Sequence, residues 1–114
     1  MRSDAQRLND VAVAAAAIES HLARGSLDDD LVFDAVRVRL IEIGEAVKDI
    51  DPELIAGEPD VPWSDVARLR DHLTHRYFDT AHTILSATVE QDLPPLVAAV
   101  RRLQEHLARG SDGA

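Results

Sequence analysis

Apolar residues recur at helical spacing along most of the chain, beginning with a segment that runs from a cap at Ser3 or Asp4 to about Arg24. Their i, i+3, i+4, i+7 pattern predicts an amphipathic helix. We expect Gly25 to end this helix, and the acidic residues of the stretch 26–30 to start the next one. The predicted buried stripe of the first helix comprises Leu8, Val11, Ala12, Ala15, Ile18 and Leu22.

The second predicted helix spans about Asp28 to Lys48 and carries a broad apolar stripe, typical of a core helix or of one that a partner also buries. Gly44 lies inside it, where glycine costs roughly 1 kcal/mol relative to Ala. We therefore expect Gly44 to permit close approach of another backbone, and Glu45 to be a solvated helix charge. The stripe comprises Leu31, Ala35, Val38, Ile41 and Val47, extended by Val32, Val36, Leu40 and Ile43.

Breaker residues divide the next part of the chain into shorter segments. Residues 51–56 predict a helical turn that Gly57 ends, and the loop 58–62 follows with two prolines. Ser64 is predicted to cap a third helix that ends near Tyr77.

Helical spacing resumes at residues 79–80 and predicts a fourth helix. Pro94 and Pro95 break that helix or start the last one, which we expect over about residues 96–108. The sequence has no alternating strand pattern, internal repeat or low-complexity segment. These features predict an all-α fold, an antiparallel helical bundle of about four to five helices with short connections.

The composition fits one soluble domain, predicted over residues 1–110 with a disordered tail at 111–114. Apolar residues make up 46% of the chain but aromatic residues only 4%, so the core must be aliphatic. The lack of cysteine excludes a disulfide framework, a cysteine nucleophile and thiolate metal ligands. The apolar run at residues 11–18 is far shorter than the roughly 20 residues of a membrane helix. We expect a cytoplasmic protein without membrane attachment.

The charge of the chain changes sign locally over residues 68–79. The formal net charge of −9 argues against non-specific duplex binding, which needs a broad basic surface. The stretch 68–79, however, has three arginines against two aspartates, two of the five histidines and the only tyrosine. No other part of the sequence concentrates so many groups that can bind phosphate or move protons, so the candidate site lies here.

Three side chains of this stretch carry complementary chemistry. Arg70 offers a planar set of donors suited to phosphate. His75 titrates near neutral pH and can take or give a proton. Tyr77 adds a hydroxyl. An arginine and a histidine are sufficient in principle for RNA transesterification, in which the ribose 2′-OH attacks the adjacent phosphorus without a metal.

The spacing of these residues constrains how they can meet. At about 100° per residue, Arg70 and His75 lie about 140° apart on an ideal helix, whereas Arg70 and Tyr77 nearly eclipse two turns apart. We therefore expect the helix to end or distort around His75, or a second protomer to supply its copy. A twofold dimer would place two arginines and two histidines around one groove.

The neighbouring residues allow several interpretations. Asp71 could orient His75 at i, i+4, and Arg68 with His72 could widen the cationic surface. Arg68 and Arg76 could equally form a solvated face. A metal site built from Asp71, His72 and His75 is an alternative, although it lacks a second well-spaced acidic ligand, so no metal is expected. The remaining histidines are expected to be polar surface or satisfied core groups; they are His21, His82 and His106.

Four short segments occur in an order and spacing that resembles the HepT-like toxins of the HEPN superfamily. They are Ile-Gly-Glu-Ala at 43–46, Val-Pro-Trp at 61–63, Arg-Asp-His-Leu-Thr-His-Arg-Tyr-Phe at 70–78 and Asp-Leu-Pro at 92–94. Together they span about residues 40–96. The flanking helices fit the family in length.

The resemblance implies a HEPN-like homodimer that acts as a metal-independent RNA endonuclease without a cofactor, in a type VII-like toxin–antitoxin pair. The catalytic arginine and histidine of the family fall on Arg70 and His75. The residue after the arginine is often Asn but here is Asp71, which adds a negative charge beside the phosphate site. The family tyrosine falls on Tyr77, to which an MNT-type nucleotidyltransferase antitoxin can transfer AMP. That modification adds bulk and negative charge where an RNA phosphate, of tRNA or mRNA, would sit.

Two alternatives from other classes remain open. The chain could be a non-catalytic helical accessory subunit that docks a nucleotidyltransferase or presents substrate to it, which the acidic balance and Asp71 favour. It could also be a structural dimerisation bundle in which Arg70, His75 and Tyr77 are replaceable. Gly44 and Glu45 match the helix signature of the family, which we interpret as packing near the site and not as catalysis.

Overall fold

The computed structural model describes residues 2–74 and 78–112, and every regular element in that part of the chain is helical. This confirms the all-α prediction, while the twofold dimer stays a prediction. None of the described helices is both long and apolar enough to cross a bilayer. The elements are α1 Asp4–Arg24, α2 Asp30–Lys48, α3 Pro52–Ile55, α4 Trp63–Ala67, α5 Leu69–Thr74, α6 Phe78–Ala87, a π-helical turn Thr88–Asp92 and α7 Leu93–Asp112.

Helix α1 packs against α2 and α7. Its ends confirm the predicted first and last residues of the helix. Ser3 Oγ accepts a hydrogen bond from the Gln6 amide, and Gln6 Oε1 accepts one from the Ser3 amide, so both form a capping box. The helix ends at Arg24 beside Gly25. Because the connection to α2 is short, α1 and α2 form an antiparallel hairpin, the first layer of the bundle.

Two residues predicted to be buried on α2 are exposed instead: Leu31 is 80% exposed and Val38 is 49% exposed. At about 100° per residue, Leu31 lies about 160° and Val38 about 180° around the helix from the centre of the buried face. The stripe is therefore broader than the surface that α1, α4 and α5 cover. The buried face of α2 comprises Val32, Phe33, Val36, Leu40, Ile43, Gly44 and Val47.

Gly44 is the point where α2 comes closest to α4 and α5. A Cβ atom on Gly44 would lie 2.8 Å from the carbonyl oxygen of Val66 and 3.3 Å from Cβ of Leu69. The first distance is shorter than real Cβ atoms tolerate, so only glycine allows this approach. The expectation of a close backbone contact at Gly44 agrees with the structure.

The predicted third helix is divided into α4 and α5. Its cap is Pro62, without a side-chain hydrogen bond, so the prediction of Ser64 as the N-cap was wrong. Arg68 interrupts the helix with φ −98° and ψ 8°, and its amide donates to the Asp65 carbonyl at 3.2 Å. Regular bonding resumes at once, because the His72 amide donates to the Arg68 carbonyl at 3.1 Å.

The segment from α6 to α7 is continuous and was predicted with different boundaries. The π-helical turn 88–92 joins the two helices, and Thr88 Oγ1 donates to the Ile84 carbonyl at 2.8 Å. Helix α7 begins at Leu93, with both prolines in its first turn, where a missing amide is tolerated. It extends to Asp112. The disordered tail at 111–114 stays a prediction, since residues 113 and 114 lie outside the described part.

His82 on α6 is a satisfied structural histidine, as predicted. Its ring stacks on Phe33 with centroids 5.5 Å apart, and Nε2 lies 3.2 Å from the Leu27 carbonyl. A carbonyl only accepts, so Nε2 carries the proton, and Nδ1 is then able to accept from Ser86 Oγ at 3.4 Å. These contacts attach α6 to the loop between α1 and α2.

Replacing Gly44 with Ala should destabilise the fold by about 1–3 kcal/mol, because the new Cβ would press on the Val66 carbonyl. The matched control is Gly110→Ala, on α7, where a Cβ meets nothing within 4 Å. That change should be neutral or stabilise by up to about 1 kcal/mol, since Ala is the better helix former. Urea unfolding of both variants measures the difference, and equal midpoints would contradict the role given to Gly44.

Candidate functional site

Arg70 on α5 is held by a carboxylate from α2. Its Nη1 donates to Glu45 Oε1 at 2.8 Å, and the two side chains are 64% and 51% exposed. The sequence predicted Glu45 to be a solvated charge. It is exposed, but it is also the partner of the residue most suited to bind phosphate.

The contact between Glu45 and Arg70 follows from the approach at Gly44. The two residues lie 25 positions apart in sequence, so no local pattern pairs them. Gly44 brings α2 against Val66 and Leu69. Glu45 and Arg70 are the next residues after this contact on each side, and they meet at the exposed edge of the same helix pair. The Gly-Glu dipeptide was the available sequence signal, and it indicated packing without the partner.

The pairing leaves most of the arginine's hydrogen-bonding capacity available. A guanidinium has five N–H donors, and the bond to Glu45 is the only side-chain bond of Arg70 among the described residues. An ion pair this exposed is worth at most about 1 kcal/mol. A phosphate can therefore bind beside Glu45 or displace it at small cost, since charge-assisted bonds to phosphate are strong.

The other described residues of the predicted site are Arg68, at the junction of α4 and α5, and Asp71 and His72 on α5. Arg68 and Asp71 are exposed, and His72 is half-buried. None of these three makes an ion pair with another described residue. The widening of the cationic surface by Arg68 and His72 stays a prediction. Residues 68–74 thus carry two exposed arginines and one exposed aspartate, and Glu45 adds a second carboxylate beside Arg70.

His75, Arg76 and Tyr77 lie outside the described residues. The predictions that place the proton-transfer group at His75, its orientation by Asp71 and the AMP acceptor at Tyr77 therefore stay predictions. The same holds for the alternative metal site, which needs His75. Among residues 2–74 and 78–112, no group of three or more His, Asp or Glu side chains is arranged to hold a metal ion.

The loop before α4 is fixed by contacts on both sides. Trp63 Nε1 donates to the Glu58 carbonyl at 2.8 Å, and Arg102 on α7 donates to the Glu58 carboxylate at 2.6 Å. The hydrogen bond from Arg102 lowers the pKa of Glu58. Val61 between them is buried. The Val-Pro-Trp segment therefore anchors the start of α4, and it contributes no exposed reactive group.

Asp92 at the end of the π-helical turn lies within electrostatic range of Asp65 on α4. Partial burial raises the pKa of Asp92, and the negative charge of Asp65 adds to the effect. Both effects disfavour the charged form of Asp92, so the ionised carboxylate lowers the stability of the fold. Residues 43–46 thus contact the junction of α4 and α5, residues 61–63 lead into α4, and Asp92 lies within electrostatic range of α4.

Comparison with known proteins identifies the family of the chain. A family model described as "Ribonuclease HepT-like" matches residues 11–103. The "Probable ribonuclease HepT" of Thermococcus cleftensis is 33% identical over 108 residues, which cover 91% of this chain and 98% of the relative. No solved structure was found to match the chain.

Two further relatives have names that class them provisionally as RNases. One, from Caldanaerobacter subterraneus subsp. tengcongensis, is 35% identical over 85 residues, or 70% of this chain and 76% of the relative. The other, from Methanocaldococcus jannaschii, is 41% identical over 68 residues, or 60% of this chain and 56% of the relative. The family match spans most of the helical bundle, including α4 and α5 with the Arg70–Glu45 pair, and the chain therefore belongs to the HepT-like ribonuclease family.

Proposed function

We propose that the protein is the toxin of a toxin–antitoxin pair and cleaves RNA without a metal ion. The observation that carries this proposal is the exposed guanidinium of Arg70. It is bonded at 2.8 Å to Glu45 and lies five residues before His75, in a chain of the HepT-like ribonuclease family. A solvent-facing arginine close in sequence to a histidine can supply phosphate binding and proton transfer together.

In the proposed reaction, His75 takes the proton of the ribose 2′-OH while O2′ attacks the adjacent phosphorus. Arg70 donates hydrogen bonds to the non-bridging oxygens, where negative charge develops. The bond to the 5′-oxygen breaks, and that oxygen leaves with a proton from a general acid. In a twofold dimer the two copies of His75 would serve as base and acid. The products carry a 2′,3′-cyclic phosphate and a 5′-hydroxyl.

The acidic character of the chain suits a local phosphate site better than a broad RNA-binding surface. The net charge is −9, and Glu45 and Asp71 sit close to Arg70. Affinity for RNA then depends on a few contacts near the scissile phosphate. We infer a preference for exposed single-stranded segments, such as the loops of tRNA or mRNA, whose backbone can enter a small site.

Neutralisation by a nucleotidyltransferase antitoxin of the MNT type is the proposed control. Transfer of AMP to Tyr77 adds a phosphodiester close in sequence to Arg70 and His75. Its negative charge would bind the guanidinium of Arg70 in place of an RNA phosphate, and the adenosine would add bulk.

A second candidate function has one observation in its favour. Arg70 is already paired with Glu45 and is followed by the exposed Asp71, so neighbouring carboxylates offset the positive charge of its guanidinium. An accessory subunit that docks a nucleotidyltransferase would tolerate this balance. Co-expression with the neighbouring gene separates the two functions: complex formation abolishes an activity if the protein is a toxin and enables one if it is an accessory subunit.

Replacement of Arg70 or His75 by Ala should each lower RNA cleavage by about 10²–10³-fold, because each removes a group that acts on the reacting phosphate. The matched control is Arg101→Ala, an exposed arginine on α7, which packs mainly against α1. It should cleave within a factor of two of wild type, by rough expectation for a surface substitution. The measurement is single-turnover cleavage of labelled RNA with chelator present. Wild-type rates in the Arg70 and His75 variants would refute the proposed roles.

Replacement of Glu45 by Gln should lower KM for RNA by up to about five-fold and leave kcat nearly unchanged. The change removes the charge that competes for Arg70, and an exposed pair is worth up to about 1 kcal/mol. Glu42→Gln is the matched control, since Glu42 also forms an exposed ion pair, with Arg39 on the same helix. If Glu45 instead holds Arg70 in its reactive position, Glu45→Gln will lower kcat.

Co-expression with the cognate nucleotidyltransferase should add one AMP to the protein, mapped to Tyr77 by peptide mass spectrometry. Tyr77→Phe should lack the added mass and stay active in the presence of the partner, because it has no acceptor oxygen. An AMP on another residue, or full neutralisation of Tyr77→Phe, would exclude this mode of control.

A further inference from the structure

Arg37 is a second residue of α2 that reaches α5. It precedes Gly44 by seven residues, so it lies on nearly the same face, about 20° away and two turns earlier. Its Nη1 lies 3.5 Å from the carbonyl oxygen of Leu73, at the far end of α5 from the Gly44 contact. The two helices therefore touch at both ends of α5: at Val66 to Arg70 through Gly44 and Glu45, and at Leu73 through Arg37.

The environment of Arg37 is unusual for a cation. The side chain is half-buried, and its buried Nε has no hydrogen-bond partner among the described residues. Among the described residues no carboxylate pairs with it. A buried donor without a partner costs free energy. The carbonyl groups in the last turn of α5 offset part of that cost, since a cation is favourable at the negative end of a helix.

We propose that Arg37 is a positioning residue of the ribonuclease site that fixes the C-terminal end of α5 to α2. Leu73 lies two residues before His75 in the sequence and three after Arg70. With Gly44 packed against Val66 and Leu69, and Arg37 bonded to Leu73, α2 sets the position of α5 at two points. This inference rests on the proposed function, because it assigns Arg37 a role in aligning the groups that act on the phosphate.

Positioning by Arg37 and RNA binding by the exposed arginines should affect different kinetic constants. Arg37 is half-buried and contacts the backbone of α5, whereas Arg68 and Arg70 are exposed. Loss of Arg37 should therefore lower kcat and leave KM unchanged, since small misplacements of reacting groups lower rates steeply while phosphate contacts remain.

The test compares Arg37→Met, Arg37→Lys and the matched control Arg39→Met in the full chain. Met retains the aliphatic volume of Arg37 and removes its charge and donors. Arg39 lies on the same helix but bonds only to Glu42. We expect kcat for RNA cleavage to fall about ten-fold or more in Arg37→Met with KM within two-fold of wild type, and Arg39→Met to resemble wild type. Lys, which can still donate to the Leu73 carbonyl, should restore most of the rate.

Hydrogen exchange of the Leu73 and Thr74 amides gives a readout that does not depend on activity. It should be faster in Arg37→Met than in Arg39→Met, with α1 amides unchanged as the check that the fold is intact. Unchanged kcat and exchange in Arg37→Met would overturn the inference, as would a raised KM with normal kcat. If wild type cleaves no RNA, the proposed function fails, and the exchange result alone decides whether Arg37 fixes α5.

Discussion

The absence of a side chain at Gly44 is the constraint on which the candidate site depends. The Val66 carbonyl oxygen lies 2.8 Å from where a Cβ would stand, so α2 lies against the junction of α4 and α5 at backbone distance. Two contacts between α2 and α5 depend on that distance. Glu45 can reach Arg70, and Arg37 can reach Leu73, because the helix axes are close enough for these side chains to bridge them.

The junction of α4 and α5 lies opposite Gly44 and is anchored on both sides. Arg68 takes a conformation near ψ 0° at this junction and ends α4 before α5 begins. Trp63 and Glu58 fix the start of α4, and the ion pair of Glu58 with Arg102 connects that loop to α7. A helix junction held at several points presents Arg70 at an angle that the periodicity of one uninterrupted helix would not give.

The sequence predicted the elements well, because helix periodicity, caps and breakers are local. The ends of α1 at Ser3 and Arg24 followed from residues within one turn. The predictions that failed concern residues whose surroundings depend on distant parts of the chain. The exposure of Leu31 and Val38 depends on which faces of α2 the remaining helices cover, and the cap at Pro62 depends on the anchored loop before α4. The Arg70–Glu45 bond joins residues 25 positions apart and could not be derived from spacing. The positions of His75 and Tyr77 stay predictions.

In the proposed function, Arg70 is the residue on which both substrate binding and control act. Its exposed guanidinium is bonded to one carboxylate that contributes little free energy, so an RNA phosphate can compete for it. In the proposed function the phosphodiester of an AMP on Tyr77 competes for the same donors. Because the AMP would be covalently attached, its effective concentration near Arg70 would be far higher than that of a dissolved RNA. In the proposed function, a single bulky anion attached close to Arg70 in sequence would therefore be sufficient to keep this small, locally charged site closed to substrate, whereas a broad basic surface would not be controlled so easily.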